Sequence, residues 1–94
     1  MMIKWLDDAV NDLQALRQHI TQDNPNAATR IAKRILTAVD LLSEQPNIGR
    51  PGRIPNTREL VVAGTPYIIP YRVKRTSIEI LRVFHSSMQW PDEF

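Results

Sequence analysis

The hydrophobic period of this chain changes at residues 49–56, and no other feature limits its fold as much. Before that point apolar residues recur every three or four positions, as on a helix face. After it they come in short, β-branched runs separated by turn residues. A helical first half must therefore be laid against a strand-forming second half.

In the first half, Leu6, Ala9, Val10, Leu13, Leu16 and Ile20 fall on one face, while Asp8, Asn11, Asp12, Gln14, Arg17 and Gln18 face away. This predicts a helix over about residues 7–22, with Asp7 as N-cap and acids in the first turn where the helix dipole favours them. The turn Asp23-Asn24-Pro25-Asn26 offers an asparagine cap with proline at the first position of a second helix. Ala28, Ile31, Ile35, Val39 and Leu42 form the second stripe, with Ala32, Leu36 and Leu41 widening it and Pro46 and Gly49 ending it. Two long helices joined by so short a turn run antiparallel as a hairpin.

Residues 49–56 carry Pro51, Gly52 and Pro55 and read as a surface loop with few side chains suited to a core. Three strands are expected beyond it, at about 58–63, 67–73 and 78–85, most simply as an antiparallel meander, and Ile3-Lys4-Trp5 can supply a short fourth. Pro70 sits inside the middle strand. Because it cannot donate to a ladder, a bulge or a non-donating position is expected there.

Ninety-four residues suit one small domain, able to bury about two thirds of the surface its unfolded chain exposes. With no cysteine, neither disulfides nor thiolate metal sites are available. Acid at Asp7 and Asp8 interrupts the N-terminal segment before a signal-like apolar core forms, and no long apolar run reads as a membrane span, so a cytoplasmic location is expected. Twelve basic residues against ten acidic ones give +2, a mild lean toward acidic partners. No phosphate-cradling glycine loop, paired-histidine motif or serine nucleophile signature occurs, so neither cofactor nor metal is expected.

His85 is the side chain best able to exchange a proton near neutral pH, and it ends a strand. The alternative is a histidine satisfied by backbone groups. His19, on the first helix, reads as exposed or partner-facing. Arg58, Arg72 and Arg82 stand one per strand, and guanidinium forks suit phosphate or carboxylate recognition. On the middle strand Tyr67, Ile69, Tyr71 and Val73 share a face, leaving Arg72 opposite with Ile68 and Pro70. In a regular last strand Arg82 and His85 point to opposite sides, which works against a catalytic pair. Arg72 and Arg82, with Arg50 and Arg53 from the loop, are the candidate surface for an anionic partner. Arg30, Lys33 and Arg34 on the second helix read as a solvated face. Trp90 is a core plug or a partner anchor.

Four segments carry a family resemblance: Pro46-Asn47-Ile48-Gly49-Arg50-Pro51, Arg58-Glu59-Leu60-Val61, Tyr67-Ile68-Ile69-Pro70-Tyr71-Arg72-Val73 and Ile78-Glu79-Ile80-Leu81-Arg82-Val83-Phe84-His85. Together they resemble the RelE/ParE superfamily of toxins from type II toxin–antitoxin pairs, more closely on the ParE side, over residues 3–91. The resemblance implies an α+β fold of order β-α-α-β-β-β, with a short N-terminal strand and an antiparallel helical hairpin packed on a small antiparallel sheet. It implies a cognate antitoxin that wraps the toxin in a hetero-oligomer. ParE-like members are implied to inhibit DNA gyrase and so replication, with no agreed catalytic set. RelE-like members are implied to cut messenger RNA on the ribosome, which here would fall to Arg58, Arg82 and His85.

The chain departs from the nuclease pattern where Ala63-Gly64 replaces an arginine before the tyrosine strand, and where the tail lacks a tyrosine. Ser86-Ser87-Met88 also replaces a commoner glycine-containing run. The expectation is a gyrase-binding toxin, with a metal-independent endoribonuclease or a non-toxic interaction module as alternatives.

Overall fold

The computed structural model describes residues 1–94. Strand β1 (Met2–Trp5) leads into helices α1 (Asp7–Asp23) and α2 (Pro25–Asp40), followed by a 3-10 turn at Leu41–Ser43. Five further strands follow: β2 (Arg50–Pro51), β3 (Arg58–Val61), β4 (Tyr67–Val73), β5 (Ser77–Ile80) and β6 (Phe84–His85). No helix is long and apolar enough to cross a membrane.

Asn24 joins the two helices in an extended conformation, as its position before proline requires. Its backbone N–H closes α1 on the Ile20 carbonyl at 2.8 Å, and its Oδ1 accepts from Ala27 N–H at 3.1 Å to open α2. At the other end of α1 the N-cap is Leu6, without a side-chain bond. Asp7 is the first helical residue instead of the cap, and with Asp8 it acts on the helix dipole.

The buried helix face is narrower than the sequence pattern. Ala9 and Leu16 of α1 and Ala28, Ala32, Ile35 and Val39 of α2 are buried, whereas Val10 lies at the edge and Leu36 and Leu41 are 44% and 47% exposed. Each of these follows or precedes a buried residue by one position, and a single helical step turns a side chain by about 100°. Helix α2 also stops at Asp40, six residues before Pro46, because the 3-10 turn swings Leu42 fully into the core.

The sheet has the order β1-β5-β4-β3-β2. Strands β3, β4 and β5 form the expected antiparallel meander. Strand β1 joins β5 in parallel, so the sheet is mixed. The connector at 49–56 contributes more than a loop: Arg50 and Pro51 pair with Glu59 and Arg58, and Ile54 is buried.

Strands β5 and β6 meet the same edge of β4 with a break between them. Ile80 lies opposite Tyr71 and Phe84 opposite Ile68. Two residues of β4, Ile69 and Pro70, therefore face three, Leu81 to Val83, and this extra residue is a bulge. Pro70 accepts from Leu81 N–H at 3.0 Å, and since N–H and C=O of one strand residue point the same way, its missing donor faces the gap.

Toward the helices the sheet buries Leu60, Ile69, Tyr71, Ile78, Ile80 and Val83 with Ile35, Val39 and Leu42. Each such aliphatic side chain contributes about 1.5–3 kcal/mol. Val73, expected on this face, is partly exposed where β4 runs out.

Candidate functional site

The outward face of the sheet carries Glu59, Pro70, Ile68, Arg72, Glu79 and Phe84, by alternation from the core residues and by register. The four arginines singled out for partner binding all cluster with this face or its end. Each is already matched to an acid of the chain.

Glu59 is only 3% exposed. Its Oε1 accepts from Arg50 Nε at 3.0 Å, and its Oε2 accepts from the Arg53 backbone N–H at 2.9 Å and from Arg53 Nε at 3.2 Å. Burial pushes the Glu59 carboxyl up, but these hydrogen bonds and the Arg53 charge outweigh it and hold the group below the usual carboxylate range. The two arginines remain about half exposed, at 52% and 48% of their side chains.

Arg53 continues the chain of contacts, with its guanidinium carbon 3.6 Å from the centroid of the Trp90 ring. Trp90 meets Phe84 at 4.8 Å in an edge contact, and Phe94 stacks on Phe84 at 6.2 Å. The C-terminal aromatics thus cover the outward face. Trp90 is an outer plug held by a cation, rather than part of the core between sheet and helices.

Arg82 forks onto Asp12 of α1, with Nε to Oδ2 at 2.7 Å and Nη2 to Oδ1 at 3.0 Å. The Asp12 hydrogen bonds hold its guanidinium protonated more firmly than usual. Arg72 Nε lies 3.3 Å from Glu79 Oε1, close enough for charge attraction, yet no acceptor is aligned with it as a hydrogen bond. Arg72, Arg82, Asp8, Leu81 and Phe94 border a cleft of about 320 Å³ with mixed charge.

The residues expected for nuclease chemistry are not brought together. Arg58 sits opposite Tyr71 and His85 opposite Tyr67, on different edges of β4, four residues or about 13 Å apart along the strand. The Arg58 guanidinium donates to the Gly49 and Asn47 carbonyls at 2.8 and 3.3 Å, pinning the loop. Arg82 is engaged on α1.

His85 is exposed and stands edge-on to Tyr67 at 5.5 Å. The Ser87 backbone N–H donates to its Nδ1 at 3.1 Å, with Ser87 Oγ at 2.7 Å. A backbone N–H can only donate, so Nδ1 accepts and the ring proton resides on Nε2. The free nitrogen is then a donor and not a base. Burial pushes the Tyr67 phenol up, which makes it a poor proton acceptor too. No three His, Cys, Asp or Glu side chains gather as a metal site.

Sequence reading missed both acids that organise the arginines. Asp12 falls on the outward stripe of α1 in a helical wheel, and nothing local marks its partner. Glu59 carries a signal, since it interrupts the apolar run Leu60-Val61-Val62 one residue from Arg58.

Comparisons with known proteins agree with this geometry. Residues 3–90 match the family described as the ParE toxin of the type II toxin-antitoxin system, parDE. The chain is 53% identical over 89 residues to the Y4kP protein of Sinorhizobium fredii, covering 95% of this chain and 92% of that protein. It is 41% identical over 85 residues to Toxin RelE2 of Caulobacter vibrioides, covering 90% and 94%. Its fold superposes on a chain of the chromosomal ParDE system from P. aeruginosa with TM-score 0.83 at 32% identity, covering 90% of this chain and 95% of that one. A chain of the RelBE2 toxin–antitoxin complex from Mycobacterium tuberculosis superposes with TM-score 0.67 at 28% identity, covering 89% and 95%. The chain belongs to the ParE family of toxins of type II toxin–antitoxin systems.

Proposed function

We propose that this toxin arrests growth by binding a protein target, DNA gyrase, in the cytoplasm, and that a cognate antitoxin neutralises it in a hetero-oligomer. The observation that carries the reading is the dispersal of the nuclease set. Arg58 holds loop carbonyls, Arg82 holds Asp12, and His85 presents a proton instead of a lone pair. Metal-free RNA cleavage needs a base, an acid and cations converging on one phosphate. A binder needs only a firm surface.

That surface is the outward sheet face and its loop. Arg50 and Arg53 are the target contacts, because half of each side chain stays in solvent while Glu59 fixes its direction. Such pre-ordered cations lose less side-chain entropy on binding. Arg72 and Arg82 steady the face through Glu79 and Asp12. The match to the ParE family and the structural likeness to ParDE support the gyrase target.

The RelE-named relatives from Caulobacter vibrioides favour ribosome-dependent message cleavage as the second reading. Gyrase supercoiling and translation-coupled cleavage, assayed side by side with purified toxin, separate the two. Inhibited supercoiling with intact messages is expected. Expression of the toxin without any growth defect would instead favour an interaction module.

A further inference from the structure

Helix α2 differs from the sheet face in one respect: its cations have no acids. Between Pro25 and Val39 the helix contains no aspartate or glutamate. Arg30 and Lys33 make no ion pair, and Arg34 donates only to the Ala63 carbonyl, at 3.2 Å. These three residues border a cleft of about 420 Å³ whose apolar floor includes Ala38, Leu41 and Val62. Arg30, Lys33, Arg34, Thr37, Ala38 and Leu41 step by three and four positions, so they form one continuous helical stripe. Its N-terminal half is cationic, and its C-terminal end is the half-exposed Leu41. The Arg34 tether joins this stripe to the β3–β4 turn, where Gly64 takes φ 76° and a Cβ would meet the Arg34 guanidinium.

We propose that this cleft is the docking site for an acidic, amphipathic segment of the cognate antitoxin. One apolar side chain of that segment packs on Leu41, Ala38 and Val62, and its carboxylates reach Arg30, Lys33 and Arg34. The inference rests on the reading of the chain as an antitoxin-neutralised toxin. Charge decides between occupants. A second copy of this chain would bring a net positive molecule onto a cationic row. RNA would find the cations, but none of the residues bordering the cleft is an aromatic on which a base could stack. An acidic peptide with an apolar anchor satisfies both halves of the stripe.

The test uses full-length toxin and, as probe, the purified small protein encoded beside it, titrated calorimetrically at two salt concentrations. Arg30→Glu/Lys33→Glu leaves the Arg34 tether intact and is expected to weaken binding about 10- to 100-fold. The salt dependence of the remaining affinity should also fall. Leu41→Asp is expected to weaken binding by about tenfold or more. Lys74→Glu/Arg75→Glu, which changes net charge equally on the β4–β5 turn, serves as the electrostatic control. Circular dichroism melts show that each variant is folded.

Wild-type affinity retained in both folded cleft variants would overturn the inference and leave the proposed function standing. Equal losses in the cleft and the control would also overturn it, by showing long-range charge alone. A self-association lost in the cleft variants without change in antitoxin binding would assign the cleft to a second copy instead. Failure of wild-type toxin to bind the probe would count against the toxin–antitoxin reading itself.

Discussion

Arg82, at the bulge between β5 and β6, and Asp12, in the first half of α1, are 70 residues apart in sequence and joined by two hydrogen bonds of 2.7 and 3.0 Å. The same carboxylate accepts from Val83 N–H at 2.9 Å. One acid therefore satisfies both a guanidinium and a backbone donor that the bulge leaves without a strand partner. The helical hairpin is thereby tied to the irregular end of the sheet.

Asp12→Ala is expected to destabilise the fold by about 1–3 kcal/mol, since both donors lose their acceptor in a partly buried setting. Asp12→Asn should cost less, because its side-chain oxygen can still accept from Val83. Urea unfolding of the two variants beside wild type checks the order. Equal losses would mean that the backbone donor contributes nothing.

Glu59 makes stability depend on pH. Its carboxyl is held below the usual range in the folded protein, so the unfolded chain binds its proton first as the pH falls. The stabilisation is complete above the ordinary carboxylate value, near pH 4.5, and is lost as the pH drops through the folded value. Glu59→Gln removes that dependence and leaves Arg50 and Arg53 facing a neutral group. A loss of about 1–3 kcal/mol at pH 7, limited by the exposure of both arginines, is expected. Urea midpoints from pH 7 to pH 3 should converge between wild type and variant.

Tyr71 is fully buried, and its hydroxyl bridges the loop. It donates to the Pro46 carbonyl at 2.8 Å and accepts from Gly49 N–H at 2.9 Å. Tyr71→Phe is expected to cost about 1–3 kcal/mol by orphaning both groups. Gly49→Ala should be at least as costly, because a Cβ there would come within 2.6 Å of the Tyr71 ring and hydroxyl. Thermal denaturation of both variants, with hydrogen exchange along residues 46–59, reads the effect and its location.

Much of the fold was legible because local chemistry agreed with tertiary structure. Asn24 and Pro25 mark the hairpin, Pro70 marks the bulge, and the alternation of Tyr67, Ile69 and Tyr71 marks the inner face of β4. The parallel pairing of β1 with β5 has no local signature, since it depends on where the hairpin returns the chain. The arginines were visible as types and their roles were not. Arg50, Arg53 and Arg82 are committed to Glu59 and Asp12, contacts that only the fold creates. The bulge also resets parity after Ile80, so Ile80 faces the helices while Phe84 faces out. Strict alternation along residues 78–85 gives the wrong face for one of the two.

The central claim is that this toxin acts by binding and not by cleavage. Gyrase supercoiling, titrated with wild-type toxin and His85→Ala in parallel with translation-coupled message cleavage, tests it most directly. The account predicts inhibition of supercoiling by both proteins to within about twofold, an exposed strand-end side chain being nearly neutral to the fold, with messages left intact. Message cleavage that requires ribosomes and disappears in His85→Ala would contradict it.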